Sequence, residues 1–117
     1  MSNISTHVLD TAAGRPAAGV HVRLEMQTGG REGEPWKTLS QNVTDSDGRV
    51  KALLPSGASM AEGIYRITFD TANYFRAQNQ NTFYPEVKVT FFVADAAQHY
   101  HLPLLLSPFG YSTYRGS

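Results

Sequence analysis

Strict alternation of apolar and polar residues is the feature that most constrains the fold of this chain. In residues 20–26 apolar side chains occupy every second position, and His21, Arg23 and Glu25 occupy the positions between them. Residues 65–69 and 87–93 repeat the pattern. Successive side chains of a β-strand point to opposite faces, so each segment predicts a strand with one buried and one solvated face.

Turn sequences separate the alternating segments. Glycine, proline and aspartate cluster at residues 13–16, 29–30, 47–48 and 55–57. Seven or eight short strands at this spacing predict an all-β antiparallel sandwich or barrel. The 117 residues show no repeat and no low-complexity linker, so we expect one domain spanning residues 1–117.

One segment departs from the alternation and predicts a short helix. It begins at Thr71, where Asp70 or Thr71 itself can cap the first amides, and continues to about Gln80. Tyr74 and Phe75 would pack it against a sheet edge. We expect this helix to connect two strands and to carry no chemistry.

Residues 4–10 and 99–106 are apolar on both faces, which indicates that both faces are covered. Leu9 and Leu105 lie on the same alternation as His7 and His101, where one solvated face would require polar residues. A second subunit is the simplest cover, so we expect a homo-oligomer of closed symmetry. Pro103 cannot donate to a sheet ladder, which predicts either a bulge or a locally open edge beside the histidines.

Charge and composition exclude several classes of partner. Lysine and arginine together number ten, as do aspartate and glutamate, so no net field attracts nucleic acid or an anionic membrane. The absence of cysteine excludes a disulfide framework, a thiolate zinc site and a thiol nucleophile. No apolar run reaches the roughly 20 residues of a membrane helix. With no signal-peptide pattern at the N-terminus, we expect a soluble, cytoplasmic protein.

Two histidines are the candidate general bases. His7 and His101 lie on the partly apolar faces described above, and imidazole changes charge near neutral pH. A surface or structural role is the alternative for each. His99 and His101 have the spacing of a chelating pair, but a zinc site needs a third protein ligand, so we expect no metal. His21 lies on an ordinary polar face and is expected to be solvated.

Arg49 is the candidate anion-binding group. Residues 45–48 (DSDG) resemble part of a calcium loop, but they lack the bidentate glutamate of the 12-residue frame and predict a β-turn instead. The turn places Arg49 at the start of the next strand. Its guanidinium can hold a planar, anionic, amide-bearing ligand through paired hydrogen bonds.

The closing residues 114–117 (YRGS) combine an aromatic ring, a guanidinium and a final serine after an apolar strand and a turn. We expect this segment to be held against the domain or a partner. Ser117 has a hydroxyl and an expected free carboxylate. No Gly-x-Ser-x-Gly nucleophile elbow is present, so orientation of a ligand or of water is the role we expect for Ser117.

Several segments in order resemble the transthyretin-like 5-hydroxyisourate hydrolases. They are residues 5–10 (STHVLD), 44–49 (TDSDGR), 99–105 (HYHLPLL), 106–113 (LSPFGYST) and 114–117 (YRGS). The resemblance spans essentially the whole chain. It implies a sandwich of two four-stranded antiparallel sheets with one short α-helix, assembled as a homotetramer, a dimer of dimers, with the sites in a channel between dimers.

The resemblance also implies the activity. It is hydrolysis of a ring amide of 5-hydroxyisourate, a product of urate oxidation, to 2-oxo-4-hydroxy-4-carboxy-5-ureidoimidazoline, without a cofactor. By the same resemblance His7, Arg49, His101 and Ser117 form the catalytic set, and Tyr114 contacts substrate together with His7 and Arg49.

Two other classes of function fit the same fold. A transthyretin-like carrier would bind a small molecule without turnover, and a structural β-sandwich would only mediate association. A carrier needs a mainly apolar channel, whereas His7, Arg49 and His101 are polar. Fold alone does not separate these classes, because one fold supports many functions.

Overall fold

The computed structural model describes residues 2–117, which form nine strands, one α-helix and one turn of 3-10 helix at Thr28–Gly30. The strands are β1 (Ile4–Asp10), β2 (Arg15–Pro16), β3 (His21–Gln27), β4 (Trp36–Val43), β5 (Arg49–Val50), β6 (Gly63–Phe69), β7 (Val87–Val93), β8 (Tyr100–Ser107) and β9 (Gly110–Thr113), and the helix α1 is Thr71–Arg76.

The strands form two sheets. The first has the order β2-β1-β8-β9, with β5 also pairing with β1, and the second has the order β4-β3-β6-β7. The predicted all-β architecture of two sheets with one short helix is therefore confirmed. The alternating segments 20–26, 65–69 and 87–93 fall on β3, β6 and β7, all neighbours in the second sheet.

The first sheet differs from the prediction in strand direction and strand number. β1 and β8 run parallel, in a register from Ile4 opposite Tyr100 to Asp10 opposite Leu106. The short β5 adds a fifth strand to the expected four. Alternation reports which face a residue occupies and carries no information on strand direction. Parallel neighbours need a long connection, and here the whole second sheet lies between β1 and β8 in sequence.

The core lies between the two sheets. Val8 and Leu104 from the first sheet and Leu24 and Ile67 from the second have no exposed surface. Full burial of each such aliphatic side chain contributes about 1.5–3 kcal/mol. The alternation therefore predicts these inward positions correctly, and it leaves the opposite faces available for function.

The helix α1 begins where predicted and ends earlier. The Asp70 carboxylate caps it by accepting a hydrogen bond from the Asn73 amide at 3.1 Å. The helix ends at Arg76 instead of continuing to Gln80, and Asn79 then adopts a positive φ of 57°, which helical residues do not have. Tyr74 and Phe75 are buried against the sheets, as expected. Within residues 2–117 no helix is long and apolar enough to cross a membrane.

Pro103 interrupts the ladder between β8 and the closing residues. Regular pairing of β9 with β8 stops at Thr113, opposite Leu104, and one further bridge joins Gly116 to His101. The same register would place Tyr114 opposite Pro103, which has no N–H to donate. Of the two predicted alternatives, the structure therefore has the locally open ladder. Thr113 Oγ1 donates to the Pro103 carbonyl at 2.7 Å beside this opening.

Candidate active site

The outer face of the first sheet brings the predicted polar residues together. Ser5 pairs with His101 across β1 and β8. Two residues further along β1, His7 lies between Arg49 of β5 and Pro103 of β8. Directly paired residues of a sheet point to the same face, with Cβ atoms about 4.5–5.5 Å apart. The imidazoles and the guanidinium therefore occupy adjacent rows of one surface.

The turn before β5 fixes the position of Arg49. The Asp45 carboxylate accepts hydrogen bonds from the Asp47 amide at 2.9 Å and the Arg49 amide at 3.0 Å. These backbone amides, above all that of Arg49, hold the pKa of Asp45 below its ordinary value. Gly48 has a φ of 75°, and its carbonyl accepts from the Val8 amide at 2.7 Å. A Cβ at Gly48 would collide with the Val8 carbonyl, so glycine lets this turn lie against β1.

The closing segment is fastened beside His101, as the sequence predicts. The Gly116 amide donates to the His101 carbonyl at 2.8 Å. The Arg115 guanidinium lies 4.5 Å from the centre of the Tyr100 ring and donates to Gln98 Oε1 at 2.7 Å. A Cβ on Gly116 would approach His101 Cδ2 to 2.7 Å, closer than real contacts allow. Glycine at this position therefore lets the backbone pack on the imidazole.

A cleft of about 290 Å³ opens on this face. Its lining includes Ser5, Arg49, His99, His101 and Ser117, which come from β1, β5, the start of β8 with the residue before it, and the closing segment. A larger cleft of about 500 Å³ lies beside α1, but its lining contains one charged side chain and no imidazole. The smaller cleft is the candidate site because it gathers the chemically active groups.

Among the titratable residues that line the cleft, His101 has the most clearly shifted pKa. It is half-buried, and burial lowers its pKa below the ordinary value for histidine. The positive charge of Arg49 lowers this pKa further, followed by the charges of His7 and His99. Each effect disfavours the imidazolium, so His101 is held neutral at pH 7.

His7 and Tyr114 occupy different positions relative to this cleft. His7 lies in the row beside it, is half-buried and contributes to the field at His101. Tyr114 is 59% exposed and lines a separate apolar cleft with Phe92 and Leu102. Within one chain, therefore, Arg49, His101 and Ser117 line the same cleft and His7 lies beside it. Tyr114 lies outside the cleft.

Sequence reasoning missed two features of the site. The buried Ser5 hydroxyl lies 2.8 Å from His101 Nδ1 and 2.9 Å from His99 Nε2. Its position on the same alternation as His7 is the signal that would have identified it. The steric need for glycine at Gly116 has no comparable signal, because it arises from a tertiary contact with His101.

Two further expectations concern the remaining histidines. His21 is exposed on β3, as predicted. His99 and His101 are both within hydrogen-bond distance of the Ser5 hydroxyl. Residues 2–117 contain no group of three or more histidine, cysteine or acidic side chains placed to hold a metal ion.

The arrangement can carry out acid–base chemistry on a planar polar molecule. Neutral imidazoles can take a proton from water or give one to a leaving group. A fixed guanidinium stabilises negative charge that develops on an oxygen, without reorganisation during the reaction. Since the cleft is polar and open to solvent, water is available as a reactant.

Comparison with known proteins agrees with this chemistry. A 5-hydroxyisourate hydrolase of Salmonella typhi is 49% identical over 117 residues, covering 99% of this chain and 82% of that protein. The structure of Klebsiella pneumoniae 5-hydroxyisourate hydrolase superposes with a TM-score of 0.82 at 37% identity, covering 100% of this chain and 94% of that one. Sea bream transthyretin in complex with thyroxine gives a TM-score of 0.85 at 30% identity, covering 97% and 93%.

The model of the HIUase/Transthyretin family matches residues 4–116, so the match contains every strand of both sheets and all of the cleft's lining except Ser117. Of the residues that carried the resemblance in the sequence, Ser5, Arg49, His99, His101 and Ser117 line the cleft, whereas Tyr114 lies outside it. The chain belongs to the HIUase/Transthyretin family.

Proposed function

We propose that this protein hydrolyses 5-hydroxyisourate, opening a ring amide to give 2-oxo-4-hydroxy-4-carboxy-5-ureidoimidazoline in urate degradation. The single observation that carries the proposal is the cleft in which Arg49, His101 and Ser117 meet, with His7 in the adjacent row. The hydrolase relatives, similar over nearly the whole chain, support the same substrate.

In the proposed mechanism His7 takes a proton from water as the water attacks the amide carbonyl. Arg49 stabilises the oxyanion that forms, and His101 gives a proton to the leaving nitrogen. Ser117 orients the water or the substrate. General acid–base assistance of this kind contributes about 10²–10⁴ in rate.

Carriage of a small molecule without turnover is the alternative function, and the structural likeness to thyroxine-bound transthyretin is the observation that favours it. The two functions differ in what the cleft must contain. A carrier site is mainly apolar, whereas this cleft contains imidazole, guanidinium and hydroxyl groups.

A coupled assay tests the proposal. Urate oxidase generates 5-hydroxyisourate, and its decay is followed by ultraviolet absorbance with and without the protein. We expect saturable acceleration, lost by about 10²-fold or more in His101→Asn. His21→Asn is the matched control, because His21 is an exposed histidine on the other sheet. Binding without acceleration would instead support the carrier.

We also propose a homotetramer built as a dimer of dimers. β7 and β9 are edge strands of the two sheets, and an apolar cleft of about 250 Å³ contains residues of both. Phe92 on β7 is 63% exposed, and Tyr111 on β9 is 43% exposed. Open edges with exposed aromatic rings favour pairing with a second copy. Two such dimers would then cover the face that contains Leu9 and Leu105, and a partner would bring Tyr114 to the substrate.

Sedimentation equilibrium tests this assembly. We expect a mass four times the chain's 12.9 kDa, and a smaller species for Phe92→Lys. Lys88→Arg, on the same strand, is a control that keeps the charge. A monomeric wild-type protein would contradict the tetramer. A cytoplasmic location is part of the same proposal and is tested by cell fractionation.

A further inference from the structure

Ser5 lies between two imidazoles, and the mechanism above uses only one of them. Its hydroxyl oxygen is 2.8 Å from His101 Nδ1 and 2.9 Å from His99 Nε2. Ser5 is 7% exposed, His101 is half-buried and His99 is exposed. The three groups therefore form a line of hydrogen bonds along the cleft, from the half-buried His101 to the exposed His99.

A hydroxyl has one proton and can donate to only one of these nitrogens. If Ser5 donates to His101 Nδ1, then His99 Nε2 must donate to Ser5. In that state a neutral His101 carries its proton on Nε2. If Ser5 donates to His99 instead, His101 carries its proton on Nδ1 and Nε2 is bare. The tautomer of one histidine therefore fixes that of the other.

We propose that Ser5 and His99 are positioning residues that set the tautomer of His101 and supply its proton from solvent. This inference rests on the proposed function, in which His101 gives a proton to the leaving nitrogen. Since Nδ1 faces Ser5, Nε2 is the ring nitrogen available to the substrate.

The proton transfer balances at every atom. The Nε2 proton of His101 goes to the leaving nitrogen, which becomes neutral. The Ser5 hydroxyl proton goes to His101 Nδ1, the His99 Nε2 proton goes to Ser5 Oγ, and His99 Nδ1 takes a proton from solvent water. All three groups stay neutral, and both histidines end in the opposite tautomer. After product leaves, His101 Nε2 takes a proton from water, the same line returns its Nδ1 proton through Ser5 to His99 Nε2, and His99 Nδ1 releases its proton to solvent. The proton that His7 took from the attacking water neutralises the remaining hydroxide.

The charges around His101 explain why its proton comes from outside. Burial, Arg49 and His7 all lower the pKa of His101, so a stored imidazolium is disfavoured in the cleft. Lys51 also lines the cleft and adds positive charge. His99 is exposed, so its ring can exchange a proton with water directly. The line through Ser5 therefore supplies a proton to His101 while His101 remains neutral.

Nitrogen-15 NMR of the imidazole rings tests the positioning without any substrate. In the wild-type protein we expect one tautomer of His101, and with it the matching tautomer of His99, set through Ser5. Ser5→Ala should leave His101 a mixture of tautomers that is independent of the tautomer of His99. Thr11→Val is the matched control, because Thr11 Oγ1 donates only to a β8 carbonyl, that of Leu106, at 3.1 Å.

Kinetics test the proton supply. We expect Ser5→Ala to lower kcat by about 10- to 100-fold with little change in KM, a part of the roughly 10²–10⁴ of acid–base assistance. His99→Gln keeps an N–H donor for Ser5 but cannot exchange a proton. We expect it to preserve the His101 tautomer and lower kcat by about tenfold, with partial recovery as imidazole buffer is added.

The outcomes separate this inference from the proposed function. An identical His101 ring spectrum in wild type and Ser5→Ala overturns the coupling, whatever the activity. A normal kcat in His99→Gln overturns the proton supply. If the wild-type protein does not hydrolyse 5-hydroxyisourate at all, the proposed function fails, while the NMR comparison still decides the coupling. Equal urea midpoints for the variants would show that lost activity is not lost folding.

Discussion

At the scale of single residues, close contact rather than charge alone defines the site. Gly116 packs on the His101 ring and on Pro103, where a Cβ would come within 2.7 Å and 3.2 Å of side-chain atoms. Ser5 holds the other edge of the same ring. His101 is therefore restrained from two sides, which is the condition for a proton donor to keep its geometry.

Replacement of Gly116 tests this restraint. We expect Gly116→Ala to displace His101 or Ser117 and to lower kcat/KM by about tenfold or more, since small misplacements cost up to about 10²-fold. The free energy of unfolding should change little, because the segment lies at the edge of the sheet. Gly110→Ala is the control, since a Cβ there meets only Ser107 Oγ at an ordinary 3.7 Å. Full activity in Gly116→Ala would show that the contact is dispensable.

The pKa of His101 gives a second prediction at this scale. Arg49 contributes to the lowered pKa, after burial, so Arg49→Gln should move the NMR titration of His101 to higher pH. Arg15→Gln, on the same sheet, should leave it in place. In the wild-type protein kcat/KM should fall at acidic pH, below the ordinary range of histidine, because the lowered pKa keeps His101 neutral until that range is passed. A profile that stays flat through the NMR titration of His101 would contradict the role of this imidazole.

At the scale of elements, β5 is only two residues long and depends on the turn before it. Gly48 lies against the backbone of β1, and the Asp45 carboxylate accepts hydrogen bonds from two amides of the turn. Pairing of Arg49 with His7 then follows from the register. The position of the guanidinium is thus set by backbone contacts that a side chain at residue 48 would break.

A pair of glycine substitutions separates this contact from simple backbone strain. Gly14 and Gly48 have similar φ values, 70° and 75°, but a Cβ at Gly14 meets nothing within 4 Å. Gly14→Ala should cost about 1–2 kcal/mol in the free energy of unfolding, from the left-handed conformation alone. Gly48→Ala should cost more and should also lower kcat/KM by displacing Arg49. Equal losses in urea unfolding, with activity intact, would refute the steric argument.

The pairing of β3 with β6 predicts acid sensitivity. Burial raises the pKa of Glu25, but hydrogen bonds from Arg66 and Thr68 and the charges of Arg66 and Arg23 outweigh it and lower the pKa to about 2. Because this value lies below that of the unfolded chain, Glu25 stabilises the fold above about pH 4.5, and this stability is lost as pH falls toward 2.

Glu25→Gln should therefore lower the free energy of unfolding at pH 7 by about 1.5–3 kcal/mol, the range for hydrogen bonds to charged groups. It should also flatten the pH dependence between 4.5 and 3. Urea titrations at both pH values measure the difference. Glu62→Gln, at an exposed carboxylate, is the control and should behave as wild type. An equally steep acid dependence in Glu25→Gln would assign the acid sensitivity to other groups.

At the scale of the whole molecule, alternation predicts a sandwich or barrel and the inward positions of its strands, because burial acts on every second residue, and the family resemblance implied the two sheets. Alternation does not predict that β1 and β8 are parallel, since a strand's pattern is the same in either direction. The end of α1 was also missed, because it depends on the backbone conformation of Asn79 rather than on periodicity. Pro103 was informative in sequence, but only the register shows that its missing N–H opens the ladder opposite Tyr114.

The same limit applies to the site. His7, Arg49 and His101 are recognisable as candidate groups because their side chains suit acid–base chemistry and anion binding. Their meeting on one face depends on the pairing of three strands that are distant in sequence. Ser5 shares the alternation of His7, but its contact with two histidines depends on the β1–β8 register, which the alternation does not predict.

The central claim is that these residues act as one hydrolytic site, and a double-mutant cycle tests it most directly. The measured quantity is kcat/KM for 5-hydroxyisourate decay in wild type, His7→Asn, His101→Asn and the double variant. Residues that act as a unit are strongly non-additive. We predict that wild type accelerates the decay and that the double variant is about as slow as the slower single variant. Losses that multiply, or wild-type protein that leaves the decay unchanged, would contradict the claim.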